Sequence, residues 1–354
     1  METLSTTLHK IDTENNECVK YPIDPQKEDL QIYIKKLITG VAGGSQYKEF
    51  YFERETTEVY ACIQLAFQKQ SLSDIGDTIA LRLLAQEVSV EEEYFDRLSK
   101  DGSLIRKGSF LQVLLNDDGI LKYLCVKLDH QEFLDGEDFT RRLGLAYSRQ
   151  VYKVCIVSVD NDFKSTNVSV CDNNKRIATY WWKSFLELTE KRTDEINTER
   201  ASSKVISKLG KLKNIAPMDY TCLRNTVISE FRKKDAVMNY SEFIERVFEH
   251  YEPQEEEAKK KMPELISALK KLPEQFKFDT QFNLVPKMVK ARIRKFQLSG
   301  EIDLITKDGI EQFDEKIWAA ENPDGKKLVM IHSPEGFSNL NKNHTLPLPW
   351  ENDF

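Results

Sequence analysis

At 354 residues the chain is too long for one small core, and 40% hydrophobic against 31% charged residues is the balance of a globular protein, which excludes wholesale disorder. A net charge of −7 argues against a protein that coats nucleic acid indiscriminately, and six scattered cysteines with no CxxC pair exclude a disulfide scaffold or a zinc ribbon. No basic start followed by an apolar stretch opens the sequence, and nowhere do enough apolar residues run together to span a bilayer, so a cytosolic protein without a membrane span is expected.

Cys18, Cys62, Cys125, Cys155, Cys171 and Cys222 lie in apolar or strand-like runs and read as reduced core thiols. Charge is unevenly distributed. Between Glu53 and Asp138 acids dominate, densest at Glu91-Glu92-Glu93 and Asp117-Asp118, whereas cations gather in the second half.

Residues 4–11 and 17–21 read as strands joined by the polar turn Thr13-Glu14-Asn15-Asn16, and Asp24-Pro25 opens a helix carrying Leu30, Ile34, Leu37 and Ile38. The glycines of 40–45 end it. Residues 46–52 then alternate aromatic and polar side chains as a half-buried strand does. Ile75, Ile79, Leu83 and Leu84 are spaced for a helix, and one or two helices fit between 71 and 100. Strong strand signals follow at 110–115 and 120–128, separated by Asn116-Asp117-Asp118-Gly119, which suits a hairpin. Residues 151–159 and 166–171 form a further pair around Asp160-Asn161-Asp162, a turn rather than a calcium loop because the required downstream Gly and Glu are missing.

Past Arg176 the pattern becomes helical, with Trp181, Phe185 and Leu188 ahead of Val205, Ile206 and Leu209. Further helices are expected at 218–234 and 240–251, with Asn239 or Ser241 as caps. The highly charged stretch 255–271, with Pro263 inside it, fits either a solvent-facing helix with a break or a mobile linker. A basic helix over 285–297 and three strands at 301–306, 316–320 and 327–332 follow, with Asp308-Gly309 and Pro323-Asp324-Gly325 as turns. The expected fold is α+β: an N-terminal domain over 1–175 with an antiparallel sheet and helices, a mainly helical domain over 176–335 ending in a small β-meander, and an irregular tail over 336–354.

Catalysis finds little support. His9, His130, His250, His332 and His344 lie far apart and none begins an HxH or HExxH array, while Gly43-Gly44 is not followed by the Lys-Ser/Thr of a phosphate loop. No GxGxxG or GxSxG occurs. A non-enzymatic binding protein with no cofactor and no bound metal is expected, although carboxylates from distant segments would suffice for a metal-dependent nuclease.

The segment from Pro286 to Phe296 carries five cations, Lys287, Lys290, Arg292, Arg294 and Lys295, and no acid. Read as a helix, it puts Val289, Ile293 and Phe296 on one stripe and Lys287, Lys290 and Arg294 on another, an arrangement that docks the helix and presents charge for phosphates. The bland alternative is a solvated face balancing the acidic half. Lys204, Lys208, Lys211 and Lys213, with Arg232-Lys233-Lys234 beyond, would give a second basic edge to the same groove, although cations at helix C-termini also answer the helix dipole. Of the adjacent indoles Trp181 and Trp182, at least one is expected in the core rather than stacked on bases.

The order of elements resembles the bacterial nucleoid-associated proteins of the NdpA type. The resemblance rests on the opening Leu8-His9-Lys10-Ile11 strand with its turn and helix, the hairpin ending in Tyr123-Leu124-Cys125-Val126, the run Thr179-Tyr180-Trp181-Trp182-Lys183-Ser184-Phe185, and the passage from Lys295-Phe296 through Gly300-Glu301-Ile302. It implies a cytoplasmic, nucleoid-located homodimer that binds double-stranded DNA with little sequence preference and brings no catalytic residues. Residues 255–271 and the tail after Pro334 depart from that family, as in a member specialised for defence against phage or plasmid DNA. The competing expectation is an adaptor whose acidic half engages a DNA-processing enzyme.

Overall fold

The computed structural model describes residues 2–24, 26–42, 46–95, 107–145, 152–159, 166–173, 176–321 and 325–337. The chain divides into two compact units that interleave in sequence: the first takes 1–197, 236–241 and 278–283, the second 198–235, 242–277 and 284–354.

The first unit is built on strands β1 (Glu2–Asp12), β2 (Glu17–Tyr21), β3 (Lys48–Phe52), β4 (Gly108–Asp117) and β5 (Ile120–Asp129). It continues through β6 (Gln131–Leu134), β7 (Arg141–Gly144), β8 (Tyr152–Val159), β9 (Thr166–Asp172) and β10 (Leu188–Glu190). β6 and β7 form a separate hairpin, and the other eight make one antiparallel sheet in the order β10-β3-β9-β8-β5-β4-β1-β2. The β4–β5 turn is two residues long, with Asp118 at φ 52° and Gly119 at φ 91°, the left-handed pair whose twist matches a tight hairpin. Asn116 Oδ1 accepts the Gly119 amide at 2.9 Å.

Helices cover both faces. α1 (Glu28–Ala42) presents Tyr33, Ile34, Leu37, Ile38 and Val41 to Leu111, Val113, Leu115, Leu124 and Val126. On the other face α2 (Glu58–Lys69) and α3 (Ser73–Phe95) bring Val59, Ile63, Phe67, Ile79 and Leu83 onto Phe110, Leu114, Tyr123, Cys125, Cys155 and Val157. Alternate residues of β4 and β5 therefore serve different cores, which is why these strands are nearly continuous in apolar side chains. Each such side chain contributes about 1.5–3 kcal/mol by leaving water. α2 falls where no element is expected, although Val59, Ile63, Ala66 and Phe67 follow helical spacing.

One ion pair lies inside this second core. Lys127 on β5 donates to both carboxylate oxygens of Glu87 on α3 at 2.9 Å, and the Tyr180 hydroxyl donates to Glu87 at 3.1 Å; Lys127 is 1% exposed and Glu87 0%. Trp181 and Phe185, on a π-helical turn over Tyr180–Phe185, are fully buried, so Trp181 is a core residue as expected.

Late segments return to the first unit. β11 (Val237–Asn239) pairs with β12 (Gln281–Asn283). Asp279 accepts from Asn197 at 2.7 Å and from Arg192 at 2.6 Å, and the Asn283 amide group donates to Asp194 at 2.7 Å.

The second unit contains α4 (Asp194–Leu209) from Thr198 onward, α5 (Pro217–Phe231), and α6 (Tyr240–Ile244) from Glu242 onward, prolonged by a π-helical turn over Glu245–Glu249. α7 (Glu256–Lys270) and α8 (Leu272–Phe276) follow. Leu223, Val227, Ile228, Phe231, Phe243 and Phe248 are buried, with Phe231 edge-on to Phe243 at 5.2 Å. α5 and α7 cap each other: Asp219 accepts the amides of Gln254 and Glu255, and Glu255 accepts those of Met218 and Asp219. The charged stretch at 255–271 is thus helix rather than linker, and Ala258, Met262, Leu265 and Leu269 hold it down while Pro263 forgoes one hydrogen bond.

Two expectations for this unit are corrected. The basic segment is not a helix: a short 3-10 turn over Pro286–Met288 gives way to extended chain and then to β13 (Ile293–Gln297), paired antiparallel with β14 (Asp303–Lys307). Ile293-Arg294-Lys295-Phe296 alternates with period two, so ladder bonds to β14 win over an isolated helix. Nor do the described residues form a meander. After α9 (Phe313–Lys316), β15 (Ile317–Glu321) pairs with β16 (Lys327–Ile331) as a second, separate hairpin, followed by α10 (Pro334–Phe337). Asp308-Gly309 is not a hairpin turn: Gly309, at φ 84°, and Ile310 give their amides to Asn225 Oδ1. Pro25, Gly43-Gly44, Asp160-Asn161-Asp162, Pro323-Asp324 and the tail beyond Phe337 lie outside the described residues.

Candidate functional site

The basic segment is extended because its backbone is tethered at intervals within the second unit. The Val285 amide donates to Thr198 Oγ1 at 3.2 Å, and Met288 and Val289 close the 3-10 turn onto Val285 and Pro286. Val289 is 3% exposed, and its carbonyl accepts from Arg232 at 3.0 Å. The Arg292 amide donates to Asp308 Oδ2 at 2.9 Å while its carbonyl accepts the Asp308 amide at 3.0 Å. Asp308 also receives both arms of the Arg224 guanidinium, one at 2.8 Å. Burial pushes the Asp308 carboxyl up, but the hydrogen bonds from Arg224 and the Arg292 amide, with the charges of Arg224 and Arg294, outweigh it and hold the group below the usual carboxylate range.

These tethers sort the nine candidate cations. Lys287, Lys290 and Arg292 project from the tethered stretch as exposed side chains with no ion pair among the described residues. Arg294 is half-buried, 3.5 Å from Asp308 and over the Tyr220 ring at 5.5 Å from its centroid. Lys295 pairs across the hairpin with Asp303 at 2.7 Å. Three of the five thus carry uncompensated charge.

The second basic group is arranged differently. Lys204 lies over the Phe276 ring at 4.5 Å, and Lys211 pairs with Glu264 at 3.3 Å. Lys208 and Lys211 line a small recess of about 110 Å³ with Leu212, Ile215 and Leu265. Lys213 is exposed just beyond the 3-10 turn Gly210–Leu212. Lys290 and Arg292 line another recess, a cleft of about 350 Å³ that none of these four lysines enters. The expected common groove therefore separates into two: α4 turns Lys204 and Lys208 away from the face it gives the larger cleft.

That face consists of Glu199, Ser202, Ser203, Ile206 and Ser207, at helical spacings of three and four. Tyr220 and Arg224, one turn apart on α5, make the second wall, and Met288, Val289, Lys290 and Arg292 the third. The hydroxyl stripe is visible in the sequence as Ser202-Ser203 and Ser207. A reading centred on the apolar Val205, Ile206 and Leu209 passes over it.

Among the described residues no group of three or more His, Cys, Asp or Glu side chains is placed to share a metal ion, and no helix is long and apolar enough to cross a membrane. No protein-family model matches this sequence, and no curated protein is significantly similar to it.

Proposed function

We propose that the chain binds duplex DNA through its phosphates, with little dependence on sequence, using Lys287, Lys290 and Arg292. The observation that carries this reading is the sorting of charge: these three cations stand exposed on a stretch held by backbone tethers, whereas most of the other candidates are neutralised or packed on rings. Cations presented this way displace counterions from DNA, and each phosphate neutralised steepens the dependence of affinity on salt. Short tethers also keep the ordering entropy of binding small. The chain's net negative charge disfavours indiscriminate coating of DNA, so contact is confined to this edge.

The resemblance to the NdpA-type family points the same way and extends the proposal to a cytoplasmic, nucleoid-located homodimer, specialised for defence against foreign DNA. The reading requires no cofactor. Its test is titration of a random-sequence duplex with purified protein across a salt series, with and without magnesium. Tight binding that falls steeply with salt and leaves the duplex intact supports it, and absence of binding at low salt removes it.

A second reading, an adaptor for a DNA-processing enzyme, is favoured by the solvent face of the β13–β14 hairpin, where Ile293 is 71% exposed and Ile305 64%. Single apolar side chains are common on surfaces, but two on one face of an isolated hairpin suit an apolar partner surface. Failure to bind DNA alone, with capture of such an enzyme that Ile293→Ser and Ile305→Ser abolish, would favour it.

A further inference from the structure

The larger cleft of the second unit carries chemistry that duplex binding does not use. Its volume, about 350 Å³, falls at the lower end of small-ligand sites, which run from about 300 to 1,000 Å³. Ile206, Met288 and Val289 give it an apolar lining, and Tyr220 adds an aromatic ring. Lys290 and Arg292 supply positive charge from one wall, and Glu199 on α4 supplies a carboxylate from another.

The serines extend the polar set. The Ser202 hydroxyl donates to the Thr198 carbonyl at 2.7 Å, so its remaining capacity is as an acceptor. The Ser207 hydroxyl makes no hydrogen bond among the described residues and is exposed, able to donate. A ligand matching this lining needs a flat apolar body, N–H donors for the carboxylate side and an anion for Lys290 and Arg292. Inorganic phosphate alone would leave Ile206, Met288 and Tyr220 uncovered, and a purely apolar ligand would desolvate the two cations without compensation.

We infer that this cleft binds a single nucleotide, with its base against Tyr220, Ile206 and Met288 and its phosphate on Lys290, Arg292 and Ser207. Aromatic stacking holds bases of any sequence, and an amino-bearing base such as adenine gives Glu199 a donor. The inference stands on the cleft itself and survives the loss of the duplex reading, although the two share Lys290 and Arg292. A free nucleotide and the unstacked 5′-phosphorylated end of a strand offer the same chemistry.

The test is calorimetric titration of the full chain with dAMP, with deoxyadenosine and inorganic phosphate as partial ligands. The probe variant is Ser207→Trp, which fills the cleft from an exposed helical position and leaves in place all three cations assigned to duplex contact. Saturable dAMP binding is expected, weakened about tenfold or more when either half of the ligand is missing and also by Ser207→Trp, while duplex affinity stays within about twofold. Lys290→Gln should weaken dAMP binding and duplex binding together. Competition of dAMP by a 5′-phosphorylated single strand would assign the site to strand ends, and its absence to free nucleotides. No saturable dAMP binding, equal binding of deoxyadenosine or phosphate alone, or indifference to Ser207→Trp overturns the inference. Loss of duplex binding with dAMP binding intact would overturn the duplex reading alone.

Discussion

Arg224 donates through both terminal guanidinium nitrogens to the two carboxylate oxygens of Asp308, and that carboxylate also accepts the Arg292 amide. A buried pair between α5 and the residue that follows β14 thereby fixes the backbone of the residue whose own side chain carries free charge. Arg224→Ala leaves the Asp308 charge buried with half its partners and should destabilise the second unit by about 3–5 kcal/mol, measured by chemical denaturation. The Asp308 carboxyl sits below its usual range, so its stabilisation is complete above the unfolded-state value and is lost as pH falls through the folded one. Asp308→Asn should therefore flatten the acid limb of the stability profile below about pH 4. An unchanged acid limb would mean that the pair does not anchor this segment.

The Lys127–Glu87 pair makes the corresponding prediction for the first unit. With both groups out of solvent, Glu87→Gln removes the carboxylate that balances the Lys127 ammonium and should cost about 3–5 kcal/mol. The double replacement Glu87→Leu with Lys127→Met should recover most of that loss, because an apolar pair of similar volume has no charge to desolvate. Equal losses in the single and double variants would contradict this account, because the cost would then not come from an unbalanced Lys127 charge.

His9, on β1, is 2% exposed with Nε2 2.9 Å from Asp77 Oδ1. Burial lowers its pKa, against the raising effect of Asp77, so the unfolded chain takes up a proton at a higher pH than the folded one. The stability this neutral ring contributes is present above the ordinary histidine value of about 6.5 and is lost as pH falls through the lower folded value. His9→Gln should flatten the profile just below about pH 6.5. A profile in this window as steep as that of the unaltered chain would contradict the account of His9.

Legibility followed locality. The β4–β5 hairpin could be read because the apolar runs flank a turn, Asp118-Gly119, that needs left-handed backbone, and the two cores because their side chains alternate. The α2 stripe at Val59, Ile63, Ala66 and Phe67 was equally visible but lies beside a run of polar residues. The segment 286–297 misled because an apolar and a cationic stripe can be drawn through it at helical spacing. Its strand depends on a partner, Asp303–Lys307, and on Asp308, which helical periodicity does not register. Acid-free charge did locate the three exposed cations. Which cations stay free was set by Asp303 and Asp308, which a helical reading of the segment does not bring near, and by Glu264 and Phe276, distant in sequence; the cleft that Ser202, Ser203 and Ser207 line likewise needs partners from other segments, Tyr220, Met288 and Lys290.

The most direct test of the central claim compares salt dependences of duplex binding. Log affinity against log salt is measured for the unaltered chain, for the triple variant Lys287→Ala, Lys290→Ala, Arg292→Ala, and for the control Lys208→Ala, Lys211→Ala, Lys213→Ala. At about 0.9 per phosphate neutralised, the first variant should lower the slope by about 2.7 and weaken binding at low salt, with the control close to the unaltered chain. Identical slopes for the unaltered chain and the first variant, or the whole loss in the control, would contradict the assignment of DNA contact to Lys287, Lys290 and Arg292.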